Sequence, residues 1–151
     1  MPGTSLGAVV PGAVPKQVYY LGGSNGPLNL DTDLSRGFLQ LTSAQILALN
    51  STPITIVPAP GAGYIIDVIS AAAMLTFNTT AYTGTNALQI QYTNGSGAVT
   101  ASFPSSFIDS AVTTYFTTVK LAASAAANAP LVVSVPTANP AAGDGTINIE
   151  V

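Results

Sequence analysis

Few side chains in this sequence could do chemistry. The chain has six carboxylates, three cations and no histidine or cysteine in 151 residues. Without histidine or cysteine there is no Ser–His or Cys–His nucleophile pair, no imidazole or thiolate metal ligand and no disulfide. Acid–base catalysis would need a pair among Asp31, Asp33, Asp67, Asp109, Asp144 and Glu150. Asp144 stands in Gly143-Asp144-Gly145, a turn in which Asp bonds its local backbone. Asp109 follows Phe107-Ile108 and is expected to cap a short turn. Glu150 falls on the polar side of an edge-like strand. Asp67 interrupts an apolar stretch and is expected to be exposed or paired with Lys120 or Arg36. The sequence therefore predicts no catalytic, cofactor-binding or metal site, and an enzyme is the last of its readings.

Weaker motifs do not change this. Asp31-Thr32-Asp33 lacks the later Gly and bidentate Glu of a calcium loop. Asn50-Ser51-Thr52, Asn78-Thr79-Thr80 and Asn94-Gly95-Ser96 match the glycosylation pattern, as chance allows in a chain so rich in Asn, Ser and Thr. The Gly-rich turns lack the Lys and the strand–loop–helix setting of a phosphate cradle.

The charged fraction is 6% and the hydrophobic fraction 48%, where soluble domains carry about 25% charged residues. Lys16, Arg36 and Lys120 are too few and too scattered to hold nucleic acid or an anionic membrane. A surface so poor in charge is at risk of association. Burial in a permanent assembly removes that risk, because stable interfaces are depleted of charge at their centres. The opening MPGTSLGAVVPGAVPK has no basic start and is broken by Pro11 and Pro15, so it does not read as a signal peptide. The most apolar later stretch, Tyr64–Phe77, contains Asp67 and is too short to span a bilayer.

Two regions position these residues. Residues 1–40 hold seven of the 14 glycines and four of the 11 prolines. Their apolar clusters, Val18-Tyr19-Tyr20-Leu21 and Phe38-Leu39 among them, are separated by Gly, Pro and Asn breakers, and no period survives. We read this region as an extended N-terminal arm lying on a neighbouring surface, with Val18, Tyr19, Tyr20, Leu21, Phe38 and Leu39 as partner-binding anchors. Residues 41–151 read as one all-β domain. A short helix is expected within 41–50, capped by Thr42 or Ser43. Thereafter the period is two: Ile54–Ile56, Leu88–Thr93, Val99–Phe103, Leu131–Val135 and Ile147–Val151. Tyr64–Phe77 is expected as one central or bent strand, bent at Ala71-Ala72-Ala73, and Val112–Val119 as another. Ala122–Ala127 reads as a loop or strand edge. Asn94-Gly95-Ser96-Gly97 between two alternating runs signals a hairpin. About seven or eight strands at this spacing predict a β-sandwich or jelly-roll-like domain.

The run Leu41–Leu49, then Thr52–Val57 and Pro60–Gly63, resembles proteins of tailed bacteriophages. So do Thr79–Gly84, the Gln91–Gly97 hairpin and Ala142–Thr146. The resemblance covers about residues 41–151 and is to capsid decoration, or cement, proteins. It implies a homotrimer on the outer surface of the virion capsid, partnered by the major capsid protein and by itself, with an extended segment crossing to neighbours. It carries over no individual functional residue. The alternative reading is a tail-fibre or baseplate module binding a host glycan or receptor, with Tyr82, Tyr92 and Tyr115 as candidate sugar-stacking rings.

Overall fold

In the computed structural model, residues 36–84, 87–122 and 125–151 are described. In chain order the elements are β1 (Phe38–Leu41), α1 (Ser43–Ile46), β2 (Ile54–Val57), β3 (Ser70–Thr76), β4 (Leu88–Tyr92), β5 (Val99–Phe103), α2 (Ser105–Ile108), β6 (Thr114–Val119), β7 (Leu131–Ser134) and β8 (Thr146–Glu150). They form two four-stranded sheets, ordered β1-β8-β3-β6 and β2-β7-β4-β5.

The pairing has a simple logic. β1 pairs with β8, β2 with β7, β3 with β6 and β4 with β5, all antiparallel. The first half of the domain thus runs back along the second as one long hairpin, with the Asn94 turn at its tip. Folding that hairpin over closes β3 on β8 and β4 on β7. The result is an eight-stranded jelly roll, in which inward-facing side chains of both sheets fill the space between.

Alternation drives the packing. In β8, Ile147 and Ile149 are fully buried while Thr146, Asn148 and Glu150 are half-buried on the other face. Each such isoleucine contributes about 1.5–3 kcal/mol by leaving water. Leu41, Leu88, Ile90, Phe103, Leu131 and Val133 join the same core with no exposure. Phe103 also meets the rings of Phe107 and Phe116 at centroid separations of 5.6 and 6.0 Å. The Phe116 contact is edge-on, a favoured ring geometry.

The hairpin tip folds as expected, with one requirement. Tyr92 donates its N–H to Ala98 O and Gly97 donates to Asn94 O, both at 3.1 Å. A Cβ on Gly97 would fall 1.6 Å from Tyr92 O, so the tight return of the chain admits only glycine there.

The structure corrects several expectations. The first strand begins at Phe38, so the boundary at residue 40 falls inside β1. The arm's Phe38 and Leu39 are therefore residues of the sandwich, paired with Glu150 and Ile149. Residues 1–35, with Val18, Tyr19, Tyr20 and Leu21, and Asp31 and Asp33, lie outside the described residues. The helix expected within 41–50 is a single turn, Ser43–Ile46, with turns after it. Thr42 caps it through a reciprocal capping box with Gln45. Leu41 is spent on β1, where it packs inward. Only Ser70–Thr76 of the Tyr64–Phe77 stretch is a strand, and its pairings with β6 and β8 run without a register shift through Ala71-Ala72-Ala73. The earlier half has no alternation to pair, and makes one isolated bridge, Ile65 to Ala127. Glu150 is not on an edge, because β8 lies between β1 and β3. Asp109 caps a short turn as expected, and that turn is the helical one Ser105–Ile108.

Candidate interaction face

Among the described residues, five of the six charged side chains are tied into the fold itself. Asp144 accepts from the Thr79 hydroxyl and from the backbone N–H groups of Thr79 and Thr80 at 3.0 and 2.9 Å. Asn78 Nδ2 adds a bond of 2.9 Å. These donors, the Thr79 hydroxyl foremost, hold its carboxyl down at about 2. The group fastens the 78–80 loop to the start of β8 and has no acid–base work within ordinary pH. Asp67 pairs with Lys120, one of the two partners expected for it. The hydrogen bond to Asp67 raises the Lys120 ammonium above its usual range. Glu150 pairs with Arg36 at 2.6 Å. Both ion pairs are substantially exposed, so each contributes little to stability. Among the described residues no group of three His, Cys, Asp or Glu is placed to hold a metal ion. No helix there is long and apolar enough to cross a membrane.

The tyrosines sort differently from the sequence expectation. Tyr82 is buried and donates to Gly145 O at 2.7 Å. Burial, with the Asp144 charge nearby, pushes its phenol up to about 12. Tyr92 is buried and donates to Ile66 O at 2.7 Å. Neither ring can stack on a sugar, and of the three only Tyr115 is exposed.

The two outer faces of the sandwich are unlike. On the β2-β7-β4-β5 sheet, Gln91 and Ser134 point outward yet are buried, and Gln91 donates to Ser134 Oγ. The hairpin tip covers them. A Cβ on Gly95 would stand 3.9 Å from both Gln91 Nε2 and Ser134 Cβ and 2.9 Å from Pro53 Cγ.

The β1-β8-β3-β6 sheet has no such cover among the described residues. Register sets its outward rows. Gln40, Asn148, Met74 and Tyr115 lie side by side across the four strands. Phe38, Glu150, Ala72 and Thr117 form the next row, and Ser70 pairs with Val119 beyond it. Phe38 is 68% exposed, Tyr115 63%, Val119 72% and Met74 38%. The only charge in these rows is Glu150, neutralised by Arg36. Large apolar side chains on a nearly neutral sheet face are the composition of a contact surface.

The edge of this face is unpaired along β6 itself, and just beyond it the chain turns onto β5, where Leu121 donates its N–H to Thr100 O at 2.8 Å. β6 pairs with β3 on one side, and no strand among the described residues pairs with the other. Lys120 donates its N–H to Ile69 O at 3.1 Å, which aims its backbone at the β3 side. Alternation then turns the N–H and C=O groups of Tyr115, Thr117 and Val119 outward. Thr114–Val119 contains neither a charge nor a proline, the usual guards of a sheet edge.

Of the six predicted anchors, Phe38 stands on this face and Leu39 packs inward against the core. The sequence does not mark Met74, Tyr115 and Val119 as anchors, because each sits in an ordinary strand pattern and only strand order assembles them. No family model, curated protein or solved structure matches the chain.

Proposed function

We propose that this chain is a structural virion protein that binds the outside of an assembled phage capsid and stabilises it. It does so as a homotrimer whose arms contact neighbouring subunits, and it is not an enzyme. The observation that carries this reading is the open, apolar and nearly uncharged outer face of the β1-β8-β3-β6 sheet. Jelly rolls recur in viral capsid and lectin domains. A fold alone does not fix function, so the weight rests on the face, the charge-poor composition and the resemblance of residues 41–151 to decoration proteins.

The mechanism is mass action. A protein that binds only the assembled shell stabilises it by RT ln(1 + [L]/Kd) at each site, about 2.7 kcal/mol when free protein stands at 100 Kd. Repeated over the shell, this opposes the pressure of packaged DNA. Phe38 supplies contact area on the sandwich, and Val18, Tyr19, Tyr20 and Leu21 supply it from the arm, since buried aromatic anchors dominate interface energetics. The test is co-sedimentation with mature capsids together with a native mass. Binding at a fixed ratio by a trimer is expected. A stable monomer that ignores capsids overturns the reading.

One observation favours a second reading, a tail-fibre or baseplate module binding host glycan. Tyr115 shares its row with the amides of Gln40 and Asn148, and sugars are held by rings and amides. Binding to host cells or purified glycans, with capsids ignored, would select it.

A further inference from the structure

We infer that the open edge of β6 is the acceptor for a strand formed by Val18-Tyr19-Tyr20-Leu21 of a second copy of this chain. The inference deepens the assembly reading above and rests on it for the exchange between copies.

The edge supplies the first half of the argument. The outward groups of Tyr115, Thr117 and Val119 offer three N–H donors and the carbonyls of Tyr115 and Thr117 in one line, and an added strand satisfies them; Val119 O already accepts from the Thr118 hydroxyl at 3.3 Å. The side chains of the same residues stand on the open face. An incoming strand therefore extends that face as it pairs.

The chain supplies the second half. Val18-Tyr19-Tyr20-Leu21 is a run of β-branched, aromatic and aliphatic residues, the types that suit a half-buried strand. Gly22-Gly23 follows it, and no charged residue occurs between Lys16 and Asp31. A neutral apolar segment thus meets a neutral apolar edge. Residues 22–35 connect the segment to Arg36 and reach at most about 46–50 Å when extended. In the sheet, the far side of β6 lies about four strand spacings from β1, roughly 19 Å. Reach is sufficient in either direction, and the assembly reading selects the second copy.

Engineered disulfides test this in the full chain, which has no cysteine of its own. Tyr19→Cys or Tyr20→Cys is combined in turn with Tyr115→Cys, Thr117→Cys or Val119→Cys. A disulfide requires Cα atoms about 4.4–6.8 Å apart, so only a paired strand brings one about. At least one pair should convert most of the chain to covalent dimers and larger species on a non-reducing gel. The same arm cysteines combined with Thr55→Cys, on the opposite sheet, should give none. Failure of all pairs to exceed that control overturns the inference, and so do disulfides confined to single chains. As a second measurement, Tyr20→Pro removes a ladder donor. Amide exchange at Tyr115, Thr117 and Val119 should be at least tenfold slower in the unsubstituted chain than in this variant, and equal rates overturn the inference. No capsid enters these experiments. Cross-links without capsid binding would sink the shell reading alone, and capsid binding without cross-links would sink only the β6 acceptor.

Discussion

Truncating the exposed apolar residues of the open face should weaken shell binding without weakening the fold. Phe38 and Val119 are the extremes, at 68% and 72% exposure. Most of each side chain is free to be covered by a partner. Full burial of such a side chain contributes about 1.5–3 kcal/mol, so Phe38→Ala or Val119→Ala should each lose about 1–2 kcal/mol of binding. That is a weakening of about 5–30-fold in Kd. The two residues lie on β1 and β6, three strand spacings or roughly 14 Å apart. At that separation their effects should add, and the double variant should lose about 2–4 kcal/mol, roughly 30–900-fold. The fold should hardly notice, since exposed substitutions usually stay within about 0.5 kcal/mol. The assay is a capsid-binding isotherm for each variant beside its thermal unfolding midpoint. Thr55→Ala, exposed on the opposite sheet, is the control. Full affinity in the double variant would refute the assignment of this face. A loss as large in Thr55→Ala would refute the distinction between the two faces.

The fold itself invites further tests. Asp144→Ala should lower the thermal midpoint at neutral pH by freeing the 78–80 loop. Because its carboxyl is depressed from 3.8 to about 2, its contribution is present above pH 4 and is lost as pH falls through about 2. Melts at pH 7, 4 and 2 should therefore show the gap between the two proteins closing. Phe103→Ala should cost about 3–5 kcal/mol in denaturant titration, because it empties the centre of the aromatic cluster. Gly143→Ala places a Cβ 2.2 Å from the Tyr82 ring at a φ of +92°. It should destabilise by about 1–3 kcal/mol, read from the same titration. Shell affinity should change less than about tenfold between 50 and 500 mM salt, since a neutral interface releases few counterions. A steep salt dependence would mean that charge carries the contact.

Where one face of a strand is buried and the other polar, the sequence was readable. β4, β5 and β8 announce themselves by alternation, and Asn94-Gly95 between β4 and β5 marks the turn that joins them. β1 is not legible in this way, because four residues are too few to establish a period. Its Phe38-Leu39 resembles an arm cluster, and its Leu41 resembles a helix start. Ser70–Thr76 was blurred into its neighbours, since small residues such as Ala72 mask alternation on the outward face. Edge and interior strands share one local pattern, so Glu150 could not be placed beside β3 from its own sequence. The candidate face was illegible for the same reason. Phe38, Met74, Tyr115 and Val119 come from three strands, and each alone is an ordinary exposed apolar residue.

The scarcity of charge and the openness of this face have one physical root. A sheet face that must stay soluble is normally guarded by unpaired charges, and its edges by Lys or Pro. Here the sandwich's cations are turned on its own acids, Arg36 on Glu150 and Lys120 on Asp67, while Asp144 fastens a loop. Each pairing removes a charge that would otherwise repel an approaching neighbour. β6 carries none in its span, and the rows beside it are apolar or uncharged except for the neutralised Glu150. Desolvating such a surface leaves few groups that need new partners. The outward backbone of β6 is the exception, and a strand is the one structure that satisfies it in full. The same scarcity of charge thus makes the face cheap to bury, and the unpaired edge limits what can bury it well.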